Sequence, residues 1–373
     1  MKKNLIATVL AAVIILSCFS LSACSRIPDP PQYYVTRIVL NVGAQAEIMV
    51  NNENTVSVVT PMNPEGRILF TDEDLTGYKP EKTVEKIFSL AVKAGLFTSG
   101  DTAEFSVSGD SDYAKALSKL IEEKLTKLLD KKKLEGQVKT IPATPDDELK
   151  ALIIDSGYYS EEMVDNHIGG DLNLALALVR ISTAALPDDA FISFYFPIFN
   201  CGSTITQKDG MRRVIAGMGE AYAALAADYA ASINELSKAR DEAETLLYSL
   251  YVAEDSDYRA AVNKLFDLIV EGKRNGDTEY DSALAAIADA EKTAKEGLSE
   301  AMKKIDEASD AIYELEGTFP TEVVVEYRDK ALAIQEEVGY FENRFMDEFI
   351  EKYKSDIYKI NSALKANKKK LMD

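Results

Sequence analysis

Tyr34-Val35-Thr36-Arg37-Ile38-Val39-Leu40-Asn41-Val42 is rich in β-branched residues and alternates with a period of two, so it predicts a half-buried strand. Ala46 to Val50 and Thr55 to Val59 predict two more short strands, joined by the polar turn Asn51-Asn52-Glu53-Asn54. Asn63-Pro64-Glu65-Gly66 carries turn chemistry. A helix comes next, with Val84, Ile87, Phe88 and Ala91 on one stripe and Gly95 just past its end. Ala103 to Ser108 predicts a fourth strand. Asp110 or Ser111 then caps a longer helix carrying Ala114, Leu117, Ile121, Leu125 and Leu128. Lys131-Lys132-Lys133 closes it before Gly136, where the helix dipole favours cations. Residues 34–136 are therefore expected to form an α+β domain, a small mixed sheet with two helices.

Upstream, Met1-Lys2-Lys3-Asn4 is basic and Leu5 to Phe19 carries no charge, the build of a secretory signal and too short to span a membrane comfortably. Leu21-Ser22-Ala23-Cys24 resembles the lipobox of bacterial lipoproteins. That resemblance implies cleavage after residue 23, thioether lipidation of Cys24, and an exported, membrane-anchored chain facing away from the cytoplasm. Residues 24–33, with Pro28, Pro30 and Pro31, read as a stiff lipidated tether. The mature chain would carry a net charge of −22 against −20 for the whole, which disfavours nucleic acid as a partner. Cys18 would leave with the signal and Cys24 would carry lipid, so Cys201 is expected as a lone buried residue.

The block from Tyr34 to Lys133 has a family likeness. Glu47-Ile48-Met49-Val50-Asn51, Thr55-Val56-Ser57-Val58, Met62-Asn63-Pro64-Glu65-Gly66-Arg67-Ile68-Leu69, Asp74-Leu75-Thr76-Gly77 and Ala94-Gly95-Leu96-Phe97 succeed one another in order. It resembles the extracytoplasmic, membrane-proximal domain of RsgI-type anti-sigma factors. That family self-cleaves at an Asn-Pro bond in a conserved Asp-Ile-Asn-Pro-Ser ahead of the second-strand Glu. The matching residues in this chain are Asn41-Val42-Gly43-Ala44-Gln45, so the departure implies no self-cleavage at that point. The cytoplasmic sigma-binding domain and transmembrane helix of the family have no counterpart in the sequence either, which removes the anti-sigma activity from the expectation.

Residues 137–207 are expected to connect this domain to a long helical region. Thr144-Pro145-Asp146-Asp147 reads as a helix start with Thr144 as cap and Pro145 at the first helical position. Gly157 and Gly169-Gly170 are breaks, and Asp171 to Ala185 is a second, very apolar helix. The run Phe191-Ile192-Ser193-Phe194-Tyr195-Phe196-Pro197-Ile198-Phe199 reads as a buried contact between domains rather than a ligand pocket. From residue 208 to 373 the pattern is helical. Ile215, Met218, Tyr222, Leu225, Tyr229, Ser232, Leu236, Ala239, Ala243, Leu246 and Leu250 repeat at spacings of three and four. Leu284, Ile287, Glu291, Ala294, Leu298, Ala301, Ile305, Ala308, Ile312 and Leu315 do the same. Breaks at Glu254-Asp255-Ser256, Gly272 to Asp277 and Gly317-Thr318-Phe319-Pro320 predict four helices, in an elongated bundle or coiled-coil hairpin, monomeric in solution.

Chemistry is sparse. His167, the one histidine, sits in a glycine-flanked stretch with no serine or cysteine motif pointing to it, and zinc sites of several His or Cys ligands are excluded by count. Gly217-Met218-Gly219 lacks the third glycine and the preceding strand of a dinucleotide loop. Asp277-Thr278-Glu279-Tyr280-Asp281 lacks the glycine and twelfth-position glutamate of a calcium loop. Lys365, Lys368, Lys369 and Lys370 suit a helix C-terminus. No catalytic, cofactor or metal residue is expected, and Cys24 is the one site residue, a lipidation site. The resulting expectation is a non-catalytic surface lipoprotein whose helical module meets a protein or envelope polysaccharide. The rival readings are a sensor of envelope stress or polysaccharide working with a separate signalling protein, and a carboxylate-based glycan hydrolase.

Overall fold

Strand β1, Tyr34–Val42, turns at Gly43 into β2, Ala44–Asn51, and the pairing is antiparallel from Val42 opposite Ala44 to Tyr34 opposite Asn51. The structure, a computed structural model, describes residues 34–108, 112–166, 171–184, 186, 191–338 and 349–373. The signal stretch, Cys24 and its tether, His167 and the Asp110/Ser111 cap lie outside the described residues. Two further antiparallel pairings add β3, Val56–Pro61, beside β2 and β4, Thr102–Val107, beside β1. A fifth strand, β5, Gln137–Thr140, joins β4 in parallel. The mixed sheet runs β3-β2-β1-β4-β5, so its last strand comes from beyond the 34–136 span.

Alternation decides its faces. Ile38, Leu40 and Val42 of β1 and Ala46, Ile48 and Val50 of β2 point one way, into a core closed by α2, Pro80–Lys93, and α3, Asp112–Lys132. Val84, Ile87, Phe88 and Ala91 of α2 and Leu117, Ile121, Leu125 and Leu128 of α3 are the stripes that meet it. Gly95 lies just past α2 with φ +67°, its N–H bonded to the Val92 carbonyl, the left-handed stop the sequence predicts. Asn63-Pro64-Glu65-Gly66 is more than a turn. It opens a short helix α1, Pro64–Phe70, whose proline stands in the first turn where a missing N–H costs nothing.

The second face of the sheet is covered by α6, Leu172–Thr183, on which α4, Asp146–Asp155, packs; α5, Glu161–Asn166, lies between them in sequence. Asp171 caps α6 by accepting the Leu174 N–H at 3.0 Å. Thr144 does not cap α4: Pro145 occupies that position without a side-chain bond, and the Thr144 hydroxyl faces Arg37 instead.

The remaining helices are α7, Ile192–Gly217; α8, Ala223–Leu247; α9, Asp257–Val270; α10, Thr278–Glu316; α11, Thr321–Val338; and α12, Lys354–Met372. The expected breaks at 254–256, 272–277 and 317–320 are all present. Two more interrupt the predicted helices. Gly219 takes φ +105° and a short 3-10 turn, Glu220–Tyr222, separates α7 from α8. A turn at Tyr353 breaks the last predicted helix ahead of α12, so the region has more than the four helices expected. Along α10 the seam is buried at Ala294, Leu298, Ala301, Ile305 and Ile312, but near its start Tyr280 and Ala283 are buried and Leu284 is exposed. The N-terminal five-stranded sheet with its helices thus precedes a mostly helical region.

By contacts the chain forms two compact units that divide it differently from the sequence boundaries at 136 and 207. The larger one joins residues 32–198 with 238–307 and 350–373, so the sheet shares a unit with α9, α12 and parts of α8 and α10. Its aromatic run is helical and buried: Phe191 lies 5.7 Å from Tyr251 and Phe196 stands edge-on to Tyr158 at 4.6 Å. In the smaller unit, with residues 199–237 and 308–349, Tyr229 is buried against Phe319, ring centroids 5.3 Å apart. Its hydroxyl donates to Glu316, whose two oxygens also accept from Lys208 at 2.7 and 2.8 Å. Burial first, and then that carboxylate, push the Tyr229 phenol far above its ordinary range, so it stays a donor.

Candidate functional site

The turn Asn41-Val42-Gly43-Ala44-Gln45 is held from three sides. Asn41 Oδ1 accepts the Gly43 N–H at 3.1 Å. From the head of α1, Asn63 donates through Nδ2 to the Gly43 carbonyl at 2.9 Å, and its Oδ1 accepts the N–H groups of Gln45 and Gly66, both at 2.8 Å. One amide therefore caps a helix and takes the place of a neighbouring strand for the hairpin. The third side is the backbone after Gly95. Gly43 has φ +81°, and a Cβ built there would stand 2.1 Å from the Leu96 carbonyl oxygen. The turn accepts glycine and closes against anything larger. Asn63-Pro64, the one Asn-Pro pair in the chain, abuts this turn, its side-chain amide bonded both to the cap and to the turn.

Beneath the turn, on the second face of the sheet, lies a buried ionic cluster. Glu47 of β2 is 0% exposed and accepts from Arg37 Nε at 2.6 Å on one oxygen and from Arg180 Nε of α6 at 2.7 Å on the other. Arg37 also donates to Thr144 Oγ1 at 2.8 Å. Two guanidiniums on one carboxylate leave the cluster with an excess positive charge, offset by bonds that satisfy both Glu47 oxygens. Arg37 faces Met49 across the ladder, with Glu47 its diagonal neighbour, so the pair is fixed once the hairpin register is set. Arg180 comes from 133 residues away, and no local pattern marks it.

Residues 37–162 match the model of the anti-sigma factor RsgI-like central domain. The RsgI-like match begins at Arg37, covers the turn, Glu47 and Asn63, and extends past β5 through α4 into α5. It ends before Arg180, so α6 completes the RsgI-like sheet from outside the matched span. No match was found among curated proteins.

Cys201 is buried in α7, and Gly219 serves a helix break. Asp277 caps the loop before α10, accepting the Arg274 N–H at 2.8 Å. Lys365 and Lys368, which suit a helix end, are engaged instead with the RsgI-like domain: Lys365 with Asp72 at 3.0 Å and Lys368 with Glu73 at 2.6 Å. Among the described residues no group of three or more His, Cys, Asp or Glu side chains is placed to hold a metal ion, and no helix is long and apolar enough to cross a membrane.

Proposed function

We propose that the protein is a surface-anchored lipoprotein in which an RsgI-like extracytoplasmic domain supports helices that bind a partner, with neither anti-sigma nor self-cleaving activity. The observation that carries this reading is the β1–β2 turn of the RsgI-like domain, where Gly43 and Ala44 stand in place of Asn-Pro and the Leu96 carbonyl fills the space a side chain would need. Purified protein is expected to remain one chain, by intact mass, after days at neutral pH. A fragment starting at Ala44 would return scission to the turn, and one starting at Pro64 would assign it to the Asn63-Pro64 bond.

Anchoring rests on Leu21-Ser22-Ala23-Cys24 behind an apolar run. Palmitate labelling of cells expressing the protein should disappear in Cys24→Ala, with the chain left unprocessed or released; labelling that persists would remove the lipid from the proposal. The partner is best sought with the whole mature chain as bait, because residues 238–307 and 350–373 share a unit with the sheet. The sensor reading gains support from one contact, the Tyr280 hydroxyl of α10 on the buried Glu65 of the RsgI-like domain at 2.7 Å.

A further inference from the structure

Helix α1 is gripped at both ends and on its flank by segments far away in sequence. At its start, Glu65 accepts from Tyr280 of α10 at 2.7 Å. On its flank, the Arg67 guanidinium lies 5.6 Å from the centre of the Phe266 ring of α9. At its end, Asp72 takes φ +60°, a conformation aspartate tolerates better than most residues, and the turn presents Asp72 and Glu73 side by side. Lys365 and Lys368 of α12, three residues apart on one face, take one carboxylate each, and Lys368 also donates to the Thr71 carbonyl, in the C-terminal turn where a cation complements the helix dipole. Beyond them, Leu371 and Met372 pack against the core under the sheet.

The other end of α1 is bonded to the hairpin turn. Its capping residue Asn63 holds Gly43 and Gln45, and the Met62 N–H bonds the Gln45 carbonyl at 2.9 Å. A Cβ on Gly66 would come within 2.7 Å of that same carbonyl, so α1 and the turn approach closely without an intervening side chain. α1 is seven residues long, too short to be stable alone, so its position is set by what touches it.

We propose that α12 is a strap: by holding the end of α1 it keeps Asn63 seated on the β1–β2 turn, and its release loosens that turn selectively. The device lies wholly within the larger unit and depends on neither the lipid anchor nor a partner. Two of its contacts are ionic, and the Lys365–Asp72 pair is half exposed, so salt or a competing anionic segment would weaken it.

Hydrogen exchange of the full mature chain tests this. In Lys365→Glu/Lys368→Glu the Gln45 and Met62 amides should exchange roughly three- to tenfold faster, while the β4 amides from Ala103 to Val107 keep their rates. Lys369→Glu/Lys370→Glu changes the charge equally at exposed positions of the same helix and should leave both sets unchanged. Adding Asp72→Lys/Glu73→Lys to the first variant should recover part of the protection at Gln45. The proposal is overturned if the turn keeps its rates in the first variant, if β4 loosens as much as the turn, or if the two double variants behave alike.

Discussion

Glu47→Ala is expected to lower the unfolding temperature by roughly 10 °C and to cost about 3–5 kcal/mol, among the largest effects of any single substitution in the chain. The magnitude comes from what would be left behind. Arg37 and Arg180 have side chains only 4% and 12% exposed, and both direct their Nε–H at the one carboxylate. Without it, two cations face each other in a site from which water is largely excluded. Glu47→Gln keeps the shape and removes the charge, so it should lose most of the same stability. Arg180→Met should cost less, because Glu47 keeps Arg37 and an apolar stem suits the face of α6. Thermal or denaturant unfolding of the three variants checks the order; Glu47→Gln behaving like the unmodified protein would show that the charge contributes little.

The same cluster marks the limit of what local sequence encodes. The first four strands, the α2 and α3 stripes and the stop at Gly95 depend on local periodicity and turn chemistry, and each is found where the residues place it. β5, Gln137–Thr140, lies in the stretch read as a connecting segment, and its pairing with β4 completes the sheet. The head of α1 reads as a turn in the sequence because Asn-Pro-Glu-Gly suits both: proline opens helices as readily as it bends chains, and only the Asn63 bonds decide which. Thr144 has the right identity for a cap and goes to Arg37 instead, since a buried guanidinium gains more from a hydroxyl than a solvated helix start does. The engagement of α12 with Asp72 and Glu73 has no local signal at all. Its lysines suit their own helix dipole equally well, and the pairing spans nearly 300 residues. At the head of α10 the seam's next position back, Tyr280, is buried and bonds the buried Glu65, a partner that a heptad count does not contain, while burial passes from Leu284 to its neighbour Ala283.

Gly43→Ala is the second large effect, and the one that bears on function. Alanine would need the left-handed backbone at φ +81° and would set its Cβ 2.1 Å from a carbonyl oxygen that is itself part of the loop after α2. Backbone cannot swing aside as a flexible side chain can, so strain and overlap together should cost about 2–5 kcal/mol. Gly77 is the internal standard. It has φ +72° and nothing within 4 Å of an added Cβ, so Gly77→Ala carries the conformational penalty alone, about 1–2 kcal/mol. The difference between the two denaturation midpoints isolates the contact with Leu96. A large difference means that placing Asn-Pro at residues 43 and 44 would displace the Leu96 loop and weaken the hairpin, so Gly43→Asn/Ala44→Pro should lose stability without acquiring cleavage. Equal costs would show that the loop yields freely, and then the proposed lack of cleavage would rest on the identity of two residues instead of on the packing around them.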